Sequence, residues 1–97
     1  MKKHEEIEKE IGSQLYRRLM YQYFRLNYWN YTTQITQVKT FRQNNQVIVE
    51  IESHRPGLLI GKGGRFMDGL QKFIEEETNE NIKLRIKECK LWIGLYK

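Results

Sequence analysis

Between Arg55 and Phe66 the chain reads RPGLLIGKGGRF, four glycines in twelve residues. No regular helix runs through such a segment, because a glycine in a helix interior costs about 1 kcal/mol relative to alanine. Apolar residues nevertheless stand on both sides of it. Leu58, Leu59 and Ile60 precede the glycines, and Phe66, Met67, Leu70, Phe73 and Ile74 follow at helical spacing. The chain is therefore expected to form two helices joined by a tight glycine corner. Pro56, its one proline, suits the first turn of the short leading helix. The second helix is expected to end near Thr78-Asn79. The corner itself serves as a phosphate cradle, a nucleic-acid clamp or simply a turn.

The rest of the chain supplies strands and one more helix. Ile7, Ile11, Leu15, Leu19, Tyr23 and Leu26 recur at spacings of three and four, which predicts one helix over 5–28 with Arg17, Arg18 and Arg25 mostly off the apolar stripe. Residues 34–42 are a strand candidate, and Gln43-Asn44-Asn45 is a turn, since asparagine tolerates left-handed backbone. Val47, Val49 and Ile51 alternate with Ile48, Glu50 and Glu52 in a second strand. Ile82, Leu84 and Ile86 alternate with Lys83, Arg85 and Lys87 in a last one, which the tail from Leu91 to Lys97 would extend. The order helix, strand, strand, short helix, helix, strand implies a three-stranded mixed sheet with helices on one face, an α+β layer fold.

Ninety-seven residues make a single domain, taken as 1–97 with an N-terminal helix region over 1–31 and the strands, glycine loop and helices over 33–90. The single cysteine, Cys89, rules out a disulfide framework within one copy and points to a reducing, cytoplasmic setting. Cys89, His4 and His54 lack metal-ligand spacing. The start, MKKHEEIEKE, has acids where a secretory leader has an apolar run, and no apolar stretch is long enough to span a bilayer. The net charge of +5 favours acidic partners, nucleic acid first and an anionic membrane surface second. That charge is segregated. Residues 54–67 hold Arg55, Lys62 and Arg65 with no acid, and residues 13–46 hold five cations with no acid. Residues 68–80 set five acids against Lys72, which a solvated helix face explains.

Enzymatic uses of the glycine corner fail on spacing. A Walker A loop has four residues between its first glycine and its Gly-Lys pair, then Ser or Thr for magnesium. Here three residues separate Gly57 from Gly61, and Gly63 stands where the hydroxyl belongs. The dinucleotide fingerprint lacks its last glycine, since Gly61-Lys62-Gly63 is followed by Gly64, Arg65 and Phe66. No serine lies in a nucleophile elbow, and Cys89 reads as an inert, half-buried thiol in a strand. No catalytic constellation and no cofactor is expected.

Ile60-Gly61-Lys62-Gly63-Gly64-Arg65-Phe66-Met67 resembles the IGxxGxxI pattern of KH domains, with Met67 at the final apolar position. The flanks agree, and the extra N-terminal helix and strand make the order resemble the type II KH domain. RPGLLIGKGG is similar to the KH segment of a small-subunit ribosomal protein family, and IKLRIKECKLW to the C-terminal KH domain of Era-type GTPases. The resemblance covers roughly residues 33–90 well and the first helix loosely. The chain shows neither the second domain of the former nor the GTPase of the latter, so it is expected to be a stand-alone KH-like domain. The short segment from about Thr78 to Asn81 limits how much strand is gripped on that side.

What the resemblance implies is a non-catalytic clamp on about four nucleotides of single-stranded RNA, with ribosomal RNA among the expected partners. The residue chemistry agrees. Glycines let backbone approach phosphate, the following helix offers free amides, Lys62 adds a point charge and Arg65 a fork. The expected RNA-binding residues are Arg55, Ile60, Gly61, Lys62, Gly63, Gly64, Arg65, Phe66, Met67, Arg85 and Lys87. Alternatives stand beside them. Phe66 stacks on a base or packs inward, Arg85 and Lys87 face the groove or the open sheet, and Arg55 is an outer phosphate contact or a surface charge. Tyr16, Tyr21, Tyr28 and Trp29 are core or a protein-partner surface, which leaves a KH-scaffold interaction module without strong nucleic-acid binding as the rival function.

Overall fold

The computed structural model describes residues 9–27 and 34–89. Strand β1 (Lys9–Ile11) leads into helix α1 (Gln14–Asn27). Strands β2 (Ile35–Gln43) and β3 (Gln46–Ser53) form a hairpin. Helix α2 (Pro56–Ile60), one 3-10 turn (Lys62–Gly64) and helix α3 (Arg65–Thr78) follow, and strand β4 (Ile82–Glu88) closes the described chain.

The expected three-stranded mixed sheet is present: β2 runs antiparallel to β3, and β3 parallel to β4. The short β1 adds a fourth strand along the outer edge of β2. Register decides which side chains meet the helices. Val38, Thr40, Val47, Val49, Ile51, Ile82 and Leu84 share one face and are buried there against Leu19, Met20, Phe24, Leu59, Phe66, Leu70 and Ile74. At roughly 25 cal/mol per Å² of apolar area, this shared layer is the main source of stability.

The first helix also differs from expectation. The helix predicted over 5–28 begins at Gln14, because Ile11 belongs to a strand and Gly12-Ser13 interrupts the pattern. The Ser13 carbonyl accepts the first helical hydrogen bond, from Arg17 N at 2.8 Å. The apolar stripe shifts accordingly. Tyr16, Leu19, Met20 and Phe24 are buried, whereas Leu15 and Leu26 are 45% and 68% exposed. Ile7, Tyr28, Trp29 and the tail beyond Cys89 lie outside the described residues. Cys89 sits just past β4 and is buried, its amide donating to the Ser53 carbonyl at 2.8 Å.

Two polar links hold the edges. Thr40, fully buried on the helix-facing side of β2, donates to the Ile11 carbonyl at 2.6 Å and so fastens β1 and the turn into α1. Arg42 and Glu80 form a bidentate pair, both bonds 3.2 Å, between the β2–β3 hairpin end and the α3–β4 connection. The Arg42 guanidinium holds the Glu80 carboxyl below its ordinary range. Being exposed, the pair adds little at high salt.

Thr40→Val should lower stability by about 1 kcal/mol in urea titration, since it removes the donor from the part-buried Ile11 carbonyl. The Arg42–Glu80 contribution is present above the ordinary carboxylate range and is lost as pH falls through Glu80's depressed value. On acidification the parent should therefore lose more of its urea midpoint than Glu80→Gln, and equal losses would contradict the pair's role.

Candidate nucleic-acid interface

The glycine corner forms because the two helices meet too closely for side chains. Gly61 adopts φ 77°, ψ 176° at the end of α2. A β-carbon there would lie 2.6 Å from the Phe66 β-carbon, so both backbone angle and space demand glycine. Gly63 and Gly64 also have positive φ, and Gly64 is the left-handed residue that admits the chain into α3. The Gly61 amide donates to the Gly57 carbonyl at 3.1 Å, Gly64 to Gly61 at 3.2 Å, and the Arg65 amide to Lys62. None of these turn and cap bonds uses the amides of Lys62 or Gly63.

The surface so made is bare and positive. Lys62, Gly63 and Arg65 are exposed, Gly61 and Gly64 half-buried, and Ile60 is 38% exposed beside them. Arg55 lies exposed at the entrance to α2, its amide donating to the buried Ser53 hydroxyl at 2.9 Å. Among the described residues no carboxylate pairs with Arg55, Lys62 or Arg65. Asp68 is exposed in the first turn of α3, where it complements the helix dipole. The corner combines unprotected cations, a helix start and a small apolar margin of Ile60 with half-buried Met67.

Three sequence-derived candidates do not join this surface. Phe66 is only 4% exposed, its ring stacked on Phe24 at 5.1 Å and tilted against Tyr23 at 5.1 Å. It props the loop from beneath and has no free face for a base. Arg85 and Lys87 alternate with Leu84 and Ile86, and since the even positions meet the helices, the odd ones project from the opposite face of the sheet. There Arg85 lies 3.6 Å from Glu50 and 5.5 Å over the Phe41 ring. What the sequence reading passed over is Gly69: a β-carbon on it would overlap the Tyr23 hydroxyl, so it is the notch that admits α1 against α3. An isolated glycine within an otherwise helical run was its available sign.

The chain resembles known proteins over most of this fold. A family model for the KH domain matches residues 19–92. The chain belongs to the KH domain family. Its order, with the parallel β3–β4 pair and the glycine corner between two helices, is that of the type II form expected from the sequence. This KH domain is also similar to small ribosomal subunit protein uS3 from several bacteria. It is 41% identical over 54 residues to that of Dehalococcoides mccartyi, covering 56% of this chain and 19% of the relative. It is 36% identical over 61 residues to that of Acetivibrio thermocellus, covering 63% and 27%. With Carboxydothermus hydrogenoformans the figures are 38% over 61 residues, 63% and 28%. The chain thus spans less than a third of these relatives' length. Among the described residues no helix is long and apolar enough to cross a membrane, and no three metal-ligating side chains converge.

Gly61→Ala should destabilise the KH domain by about 2 kcal/mol or more, because it combines a strained φ with a clash on Phe66. Gly57→Ala, with open space and ordinary φ, should be nearly neutral or slightly stabilising. Thermal unfolding of the two variants compares them directly, and equal melting points would contradict the packing described for the corner.

Proposed function

We propose that this KH domain binds single-stranded RNA without catalysis, gripping the sugar-phosphate backbone at the corner formed by Gly61, Lys62, Gly63 and Gly64. The observation that carries the reading is the unpaired, exposed cation set around a glycine turn at the start of α3. Phosphate approaches where no β-carbon obstructs it, and Lys62 and Arg65 neutralise it. Arg55 extends the positive track, and Ile60 and Met67 offer bases a modest apolar margin. Arg85 and Lys87, on the other side of the sheet, are left out of this clamp.

The RNA is a loop or end of a structured molecule, where unstacked bases are accessible. Similarity to uS3 makes ribosomal RNA the first candidate and the cytoplasm the setting. The absence of a Walker serine or threonine after Lys62 favours binding over nucleotide hydrolysis.

Lys62→Asp combined with Gly63→Asp should weaken binding of a fluorescent single-stranded RNA at least tenfold in anisotropy titrations while circular dichroism stays that of the parent. The parent's affinity should fall steeply with salt, log K changing by about −0.7 per log unit of salt for each phosphate neutralised. Undiminished binding by the folded double variant would overturn the clamp.

A further inference from the structure

Helix α1 carries a second cationic surface that the loop does not use. Arg18, Tyr21, Gln22 and Arg25 fall on one side of the helix at spacings of three and four, and all are exposed. Together with Leu26 they line an open cavity of about 560 Å³. The helix contains no acid, and among the described residues neither Arg18 nor Arg25 meets a carboxylate. Arg25 in the last turn has a partial explanation in the helix dipole. Arg18, a turn from the helix start, has none. A glutamate four residues from either cation would have offered an ion pair, and the helix has none.

The aromatic packing connects this surface with the glycine corner. Tyr21, 42% exposed, rests edge-on against Phe24 with centroids 6.1 Å apart. Phe24 stacks on Phe66 at 5.1 Å, and Phe66 abuts Gly61. The exposed ring is therefore held in place by the same stack that props the corner, and two ring contacts separate them. Arg18 and Arg25 are seven residues apart, about 10 Å along the axis, with the Tyr21 ring between. Cation, ring, cation is the pattern that a single strand of nucleic acid matches, with phosphates at the ends and a base on the ring. An acidic protein segment would use the arginines but gives the phenol and the adjoining Leu26 surface less to do.

We propose that the Arg18–Tyr21–Arg25 face of α1 is a second RNA contact, which holds nucleotides beyond those at the glycine corner. Arg18 and Arg25 neutralise phosphates, Tyr21 stacks on an intervening base, and Gln22 bonds its edge or a ribose hydroxyl. The domain then reads a longer strand than the corner alone accommodates. This rests on the reading of the corner as an RNA clamp.

The test compares labelled oligouridylates of about four and about twelve nucleotides, the shorter matching what a glycine clamp alone holds. Arg18→Gln with Arg25→Gln, and separately Tyr21→Ala, change exposed positions, and circular dichroism checks that each variant is folded. Each should weaken the longer RNA about tenfold, in the range expected for two phosphate contacts or one stacked base, and leave the shorter unchanged. The arginine variant should also lower the salt slope for the longer RNA by about 1.4. If both folded variants bind the longer RNA like the parent, while Lys62→Asp/Gly63→Asp loses both, the second contact is refuted and the clamp stands. If the parent binds neither RNA, both readings fall. If the parent binds polyglutamate as tightly as the longer RNA and the arginine variant loses both equally, the surface is a general acceptor of acidic chains and the RNA assignment is overturned.

Discussion

The contact that most of this architecture depends on is the closure of Gly61 onto Phe66, with Phe66 stacked in turn on Phe24. It joins three things at one point: the corner between α2 and α3, the first turn of α3, and the C-terminal half of α1. Because the Phe66 ring faces inward, the backbone above it is left outside and cannot sink into the core. Tyr23 fits beside it over Gly69 and reaches Phe73 at 5.3 Å, so α1 is registered along α3 by several rings at once. An aromatic floor below and exposed glycine backbone above is the arrangement on which the proposed phosphate contact rests, since a surface already packed from beneath has less order to gain on binding.

Charge is arranged along α3 with the same economy. Its first turn adjoins Lys62 and Arg65, while Glu75, Glu76, Glu77 and Glu80 gather at its far end. Glutamates there oppose the helix dipole, and two of them have structural partners that offset this. A Glu75 carboxylate oxygen accepts the Ile82 amide at 3.3 Å at the start of β4, and Glu80 pairs with Arg42. Burial raises the pKa of the Tyr16 hydroxyl, with Glu80 adding to the effect and Arg42 opposing it. The acids therefore order the α3–β4 connection and keep a negative end well away from the corner.

Much of this was legible in the residues. The period-two alternation of β4, the Asn44-Asn45 turn and the glycine break all correspond to local rules that tertiary packing had no reason to override, whereas in β3 Ile48, on the other side of the pattern from Val47 and Val49, is buried as well. The start of α1 was misread because Ile11 continues the helical period of Leu15 and Leu19. The competing sign, Gly12-Ser13, is short, and the edge strand it introduces is secured by Thr40, a residue 29 positions away in sequence. Arg85 and Lys87 show another limit. Alternation told which residues share a face but not which face the helices cover. Phe66 was ambiguous for a related reason, since an apolar residue after a loop fits either a core or a binding platform until its neighbours are known.

The sheet's two margins are treated differently. β1 covers the outer backbone of β2, whereas β4 has β3 as its one neighbour among the described residues. A seven-residue strand whose second margin none of the described residues pairs with is one that another strand can join. On the side away from the helices, however, this strand displays Lys83, Arg85 and Lys87 in a row. Were two such strands laid edge to edge, Lys83 and Lys87 of each copy would add like charge to the contact, which disfavours pairing of β4 with a second copy.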